Sequence, residues 1–170
     1  MSLIKNILLL NFIFIIFSIT SSQSEELKKL GKFKDWEAAV VFGDSGKVCM
    51  AQSRPVLHSP KKGDRKAGLT VSFRPEEKIF DEVSITSGYE YNNQNSIIAT
   101  SGKSKYKFDI AQDNFAWISS NKTEKKIVKR MKIASRIMVT GYNQSGSQTI
   151  DHYSLMGFTK AYNLAKKSCS

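Results

Sequence analysis

The chain is 170 residues long, with 26 Lys and Arg against 15 Asp and Glu, a formal net charge of +11 and two cysteines. That length is enough for one domain with a real core and too short for two ordinary ones. The lysines are scattered rather than gathered in one block. The charge therefore reads first as a solvated lysine-rich surface, and second as an attraction for an anionic polymer, an anionic lipid or nucleic acid.

The first 22 residues have the pattern of an export signal. Lys5 supplies the positive start, residues 7–17 form an apolar run broken by Asn11, and Thr20, Ser21 and Ser22 are small enough for a signal peptidase. The run falls short of the roughly 20 apolar residues a permanent span needs. Cleavage is expected after Ser22, leaving about 148 residues with a net charge of +10 and no membrane span. Residues 23–34 are polar and basic and read as a flexible lead-in, with the domain proper over residues 35–170.

Residues 36–42 and 48–53 flank the turn Gly43-Asp44-Ser45-Gly46, which predicts a hairpin. Residues 54–68 carry Pro55, Pro60, Gly63 and Gly68 and predict a long, mobile excursion over a sheet edge. Leu69, Val71 and Phe73 alternate with polar residues, as do Val83 and Ile85. That period of two marks strands with one buried face. Further short strands are expected over residues 97–100, 106–110, 115–118, 136–142 and 148–153. Such repetition favours a sandwich or barrel over alternating strands and helices.

Two segments change period. Ile127, Val128 and Met131 fall at helical spacing, predicting a short amphipathic helix over residues 123–133. Leu155, Phe158, Tyr162 and Ala165 share a face of a second helix, for which Ser154 is the candidate N-cap.

The search for chemistry yields little. His58 and His152 are too few for a metal site, and Asp151 next to His152 on a strand points to the other face. Glu76, Glu77, Asp81 and Glu82 cluster around a turn and read as solvated acids. Phosphate-loop, zinc-helix and Cys-x-x-Cys patterns do not occur. Trp36, Tyr89, Tyr91, Tyr106, Phe108 and Trp117 interleave with lysines, but half-buried strand positions explain them better than base-stacking platforms do. The residues thus predict no catalysis, no cofactor, no metal and no nucleic-acid partner.

Two sites remain. Export combined with two cysteines predicts a disulfide between Cys49 and Cys169, pinning the terminal helix onto the first hairpin. Arg54, Lys61, Lys62, Arg65 and Lys66 make the 54–68 segment the candidate binding loop for an anionic partner.

Several stretches resemble the invasion-associated locus B family of bacterial proteins. They are Asp35-Trp36, Val48-Cys49-Met50-Ala51-Gln52-Ser53, Val71-Ser72-Phe73-Arg74-Pro75, Val83-Ser84-Ile85-Thr86-Ser87-Gly88-Tyr89, and Tyr153-Ser154-Leu155-Met156-Gly157-Phe158 with Ala161. They run in the family's order across nearly all of the chain expected after cleavage. The resemblance implies an exported envelope protein with an immunoglobulin-like antiparallel β-sandwich and no established catalytic residues, linked in pathogenic members to invasion of host cells. The expectation is a mainly β sandwich with two short amphipathic helices, acting as a non-enzymatic binding protein in the periplasm, on the outer surface or secreted. The competing readings are a chaperone-like envelope-assembly protein using exposed strand edges, a binder of anionic envelope polymers, and an enzyme whose pocket would join His152 or the turn acids to other polar groups.

Overall fold

A computed structural model of the chain describes residues 26–43, 46–61 and 65–170. The expected export signal and its expected cleavage site lie outside the described residues. Apart from the single strand expected over residues 106–110, which divides at Asp109 into two that join different sheets, the hairpin and the strands with a period of two form as expected. They are β2 (Trp36–Gly43), β3 (Gly46–Ser53), β5 (Gly68–Arg74), β6 (Ile79–Thr86), β7 (Ile97–Ser101), β8 (Ser104–Phe108), β9 (Ile110–Gln112), β10 (Phe115–Trp117), β11 (Arg136–Tyr142) and β12 (Gln148–Ser154). Two further strands occur: β1 (Glu26–Phe33) ahead of the hairpin and β4 (Leu57–Ser59) inside the long excursion. They assemble into a seven-stranded sheet ordered β1-β2-β3-β5-β6-β10-β9 and a five-stranded sheet ordered β4-β12-β11-β7-β8, all pairs antiparallel. The architecture is a mainly β sandwich.

One face of the large sheet makes the core. Trp36, Leu69, Val71, Phe73, Val83, Ile85 and Ala116 are all fully or almost fully buried, and the small sheet adds Ala99, Ile137, Val139 and Tyr153 to the same cluster. Helices α1 (Asn121–Ile133) and α2 (Phe158–Ser168) contribute their apolar faces, Ile127, Val128 and Met131 from the first and Phe158, Ala161, Tyr162 and Ala165 from the second. The Trp36 indole meets Phe158 edge-on at 4.7 Å between ring centres and donates Nε1–H to the Ser154 carbonyl at 2.8 Å. That pair couples hairpin, terminal helix and small sheet in one contact. Tyr162 meets Phe73 edge-on and donates its hydroxyl to Asp81.

Three local expectations change. Residues 26–33 are an edge strand rather than a lead-in. Leu30 and Phe33 pack against the core, but a bulge between Lys29 and Gly31 breaks the period of two that would have signalled a strand. Ser154 does not cap α2, because the helix begins after Gly157, at φ 95°, while Ser154 Oγ accepts from Met156 N–H. A Cβ at position 157 would sit 1.8 Å from the Phe33 carbonyl oxygen, so only glycine lets α2 close onto β1. Thirdly, the 54–68 segment is tied down at two points. β4 pairs with β12, and Val56 N–H donates to the His152 carbonyl at 2.8 Å. The chain therefore crosses from the large sheet to the edge of the small one and back.

The disulfide joins Cys49 at the centre of β3 to Cys169 at the end of α2, with 5.8 Å between Cα atoms. Cys49 faces the same side as Ala51 and Ser53, the side that α2 covers.

Candidate functional site: the outer face of the large sheet

The face of the large sheet turned away from the core is polar. Strand pairing aligns Lys32, Glu37, Gln52, Thr70, Ser84 and Trp117 in one row running across the strands to the edge strand β9. The neighbouring row carries Lys29, Ala39, Met50, Ser72 and Glu82. Short hydroxyl and amide side chains thus floor the middle of the face, and charged or aromatic groups stand at its two ends.

At the β1 end lies a groove of about 720 Å³ whose cations are Lys29, Lys32, Lys34, Arg54 and Lys66 and whose acids are Asp35 and Glu37. Glu37 is already engaged, taking Lys29 Nζ at 3.2 Å and the Gln52 amide at 3.4 Å. Among the described residues Lys32, Lys34, Arg54 and Lys66 have no acidic partner within 4.0 Å. Four cations therefore converge on an open groove with one unpaired acid among them. The Lys66 carbonyl accepts from Thr86 Oγ1 at 2.7 Å, which fixes the loop residue to the sheet beside the groove.

At the β9 end, a cleft of about 480 Å³ is lined by Phe80, Ile110 and Trp117 together with Arg74, Glu82 and Glu124. Trp117 stacks on Phe115 two residues before it, with ring centres 5.6 Å apart and planes inclined by 16°. Arg74 meets Glu82 through two bonds of 2.7 Å, and Ser72 Oγ donates to the same carboxylate at 3.0 Å. The Glu82 bonds, outweighing burial, hold the Arg74 guanidinium above its ordinary pKa. Burial pushes Glu124 above the usual carboxylate range, even though one of its oxygens accepts from Val83 N–H at 3.0 Å.

The residues of the candidate loop separate. Arg54 and Lys66 line the groove, Lys61 is exposed away from it, and Lys62 lies outside the described residues. Arg65 turns inward instead and binds the Asp151 carboxylate through both terminal nitrogens, with the Ser87 carbonyl at 3.0 Å and the Tyr89 ring 5.6 Å from the guanidinium carbon. Its side chain is 13% exposed and that of Asp151 6%. Burial opposes the guanidinium charge, but the Asp151 bond and charge outweigh it and raise the Arg65 pKa. Arg65 is thus a clamp that fastens the excursion to the small sheet. The groove cations that sequence reasoning missed, Lys29, Lys32 and Lys34, belong to β1 and its turn. The three lysines within residues 28–32 were the available signal, and the bulge obscured their register.

The other candidates do not converge. Asp151 faces the core while His152, half-buried, faces outward. Of the turn acids, Glu77 and Glu82 pair with Arg74, and Asp81 accepts from Tyr162, so three of the four have structural partners rather than being only solvated. Among the described residues no group of three or more His, Cys, Asp or Glu is placed to hold a metal ion, and no helix is long and apolar enough to cross a membrane.

Fold and surface together define a two-sheet β domain with a disulfide-tethered terminal helix and a polar, charge-ended outer face. The family profile described as Invasion associated locus B (IalB) protein matches residues 36–166, and the chain belongs to that family. No curated protein and no solved structure matches the chain.

Proposed function

We propose that this chain is an exported, non-enzymatic binding protein of the bacterial envelope, acting in the periplasm or at the outer surface, and that its basic groove engages an anionic partner. The observation that carries the reading is the convergence of Lys32, Lys34, Arg54 and Lys66 without acidic partners among the described residues. Like charges are held together at a cost in mutual repulsion, which an anion relieves. The export signal in the first 22 residues supports the location, and membership of a family named for invasion supports a partner encountered at the cell surface.

Retention on immobilised polyglutamate tests this reading. Retention at low salt is expected to fall as salt rises. Replacing Lys32, Lys34 and Lys66 by Ser is expected to weaken it about tenfold, the loss of three exposed ammonium–carboxylate pairs at roughly 0.5 kcal/mol each. Removing the same charge from the exposed strand β8 and its turn, through Lys103, Lys105 and Lys107, is expected to leave retention nearly intact. Equal losses from the two triple variants would mean that bulk charge, not the groove, does the binding.

A second reading, envelope assembly by strand addition, draws support from β1, an eight-residue strand at the end of the large sheet. Its bulge and Lys28, Lys29 and Lys32 are features that discourage edge pairing, so the groove remains the preferred site.

A further inference from the structure

The groove and the cleft lie on the same sheet face, and the row through Lys32, Gln52, Thr70, Ser84 and Trp117 joins them without a break. The geometry points to an acidic polysaccharide as the ligand of this face, lying across the strands with its carboxylates toward the groove and a sugar ring against Trp117. The inference rests on the proposed anion-binding groove and adds the chemical class of what fills it.

Three features select a sugar chain over other polyanions. The first is the cleft, where Glu82 and Glu124 stand beside Arg74 and Trp117. Arg74 and Glu82 neutralise each other there and Glu124 is buried against Val83 N–H, so a polyanion without hydroxyls has little to bind in the cleft beyond Lys78, whereas sugar hydroxyls can donate to the carboxyl oxygens and accept from the guanidinium. Secondly, Trp117 is only half-buried and its stacking on Phe115 fixes the ring, offering a flat apolar surface of the kind that pyranose C–H faces cover. Finally, the floor between the two ends consists of neutral hydrogen-bonding groups, the part-exposed Gln52, Thr70 and Thr86 with the buried Ser84 completing the row. Five strand-to-strand steps from Lys32 to Trp117 span roughly 24 Å, the reach of an extended polymer rather than a single sugar.

The test compares polygalacturonate, polyglutamate of matched charge, neutral dextran and a single-stranded oligonucleotide as ligands of the exported protein. Polygalacturonate is expected to bind about tenfold more tightly than polyglutamate, and dextran far more weakly than either. Trp117→Ala is expected to remove most of that tenfold preference while leaving polyglutamate binding unchanged. The native protein supplies a second readout that needs no variant. It has two tryptophans, of which Trp36 is fully buried and Trp117 half-exposed, so acrylamide quenching of fluorescence reports mainly on Trp117. Polygalacturonate is expected to protect against quenching and polyglutamate is not. Equal affinity for the two polyanions, or quenching unchanged by polygalacturonate, would overturn the inference while leaving the groove reading standing. Tighter binding of the oligonucleotide would overturn it in favour of base stacking. Failure of both polyanions to bind would remove the groove reading and this inference together.

Discussion

Cys169→Ser is expected to lower the unfolding temperature by roughly 10–20 °C, since 1 kcal/mol shifts a domain of this size by about 2–4 °C. The bond closes a loop with a sequence separation of 120. On the chain-entropy account that constraint removes about 5 kcal/mol of freedom from the unfolded chain. The folded state has its own reason to resist the change. α2 buries Phe158, Ala161, Tyr162 and Ala165 against the large sheet and is the last element of the chain, so without the bond only side-chain packing keeps its end from fraying. Cys49→Ala should have nearly the same effect, and the double variant should add little, because each single change already opens the loop. Thermal unfolding followed by circular dichroism checks this. Additive losses from the two single variants would mean that each cysteine contributes through its own packing rather than through the bond.

Breaking the Arg65–Asp151 clamp from one side is the second large effect. Asp151→Asn leaves the guanidinium beneath the 54–68 excursion with no counter-charge, and such a change costs about 3–5 kcal/mol. Arg65 Nε is already buried with no hydrogen-bond partner among the described residues, so nothing nearby is positioned to compensate. Replacing both partners with apolar residues, Arg65→Met with Asp151→Leu, is expected to recover most of the loss, because the desolvated charge disappears along with its partner. Denaturant unfolding of the two single variants and the double gives the coupling directly. Single variants within 1 kcal/mol of the native protein would show that water reaches the pair and screens it.

The two kinds of residue differ in how far they could be read from sequence. Strands such as β5 and β6 are legible because the apolar Leu69, Val71 and Phe73 and then Val83 and Ile85 alternate with polar residues, the apolar set facing the core. The bulge in β1 hides a strand that carries two of the five groove cations, with a third in the turn after it, and no period survives across Lys29 and Gly31 to reveal it. The disulfide was accessible because the expectation of export and a count of two cysteines leave little choice of partner. The inward turn of Arg65 was not, because its partner lies 86 positions away and it looks like its four basic neighbours in the loop until the small sheet is in place. Ser154 illustrates a local rule overridden by packing. It has the right chemistry for an N-cap, yet the close approach of Gly157 to the Phe33 carbonyl moves the start of the helix past it.

The central claim is that the outer face of the large sheet, and not the long loop alone, is the binding surface. Amide-resolved NMR titration of the protein with short polygalacturonate chains tests it most directly. Shifts are predicted along the row through Lys32, Gln52, Thr70, Ser84 and Trp117, with those of the small-sheet residues Met138, Thr140 and Ile150 unchanged. Shifts confined to residues 54–67, or spread evenly over both sheets, would contradict it.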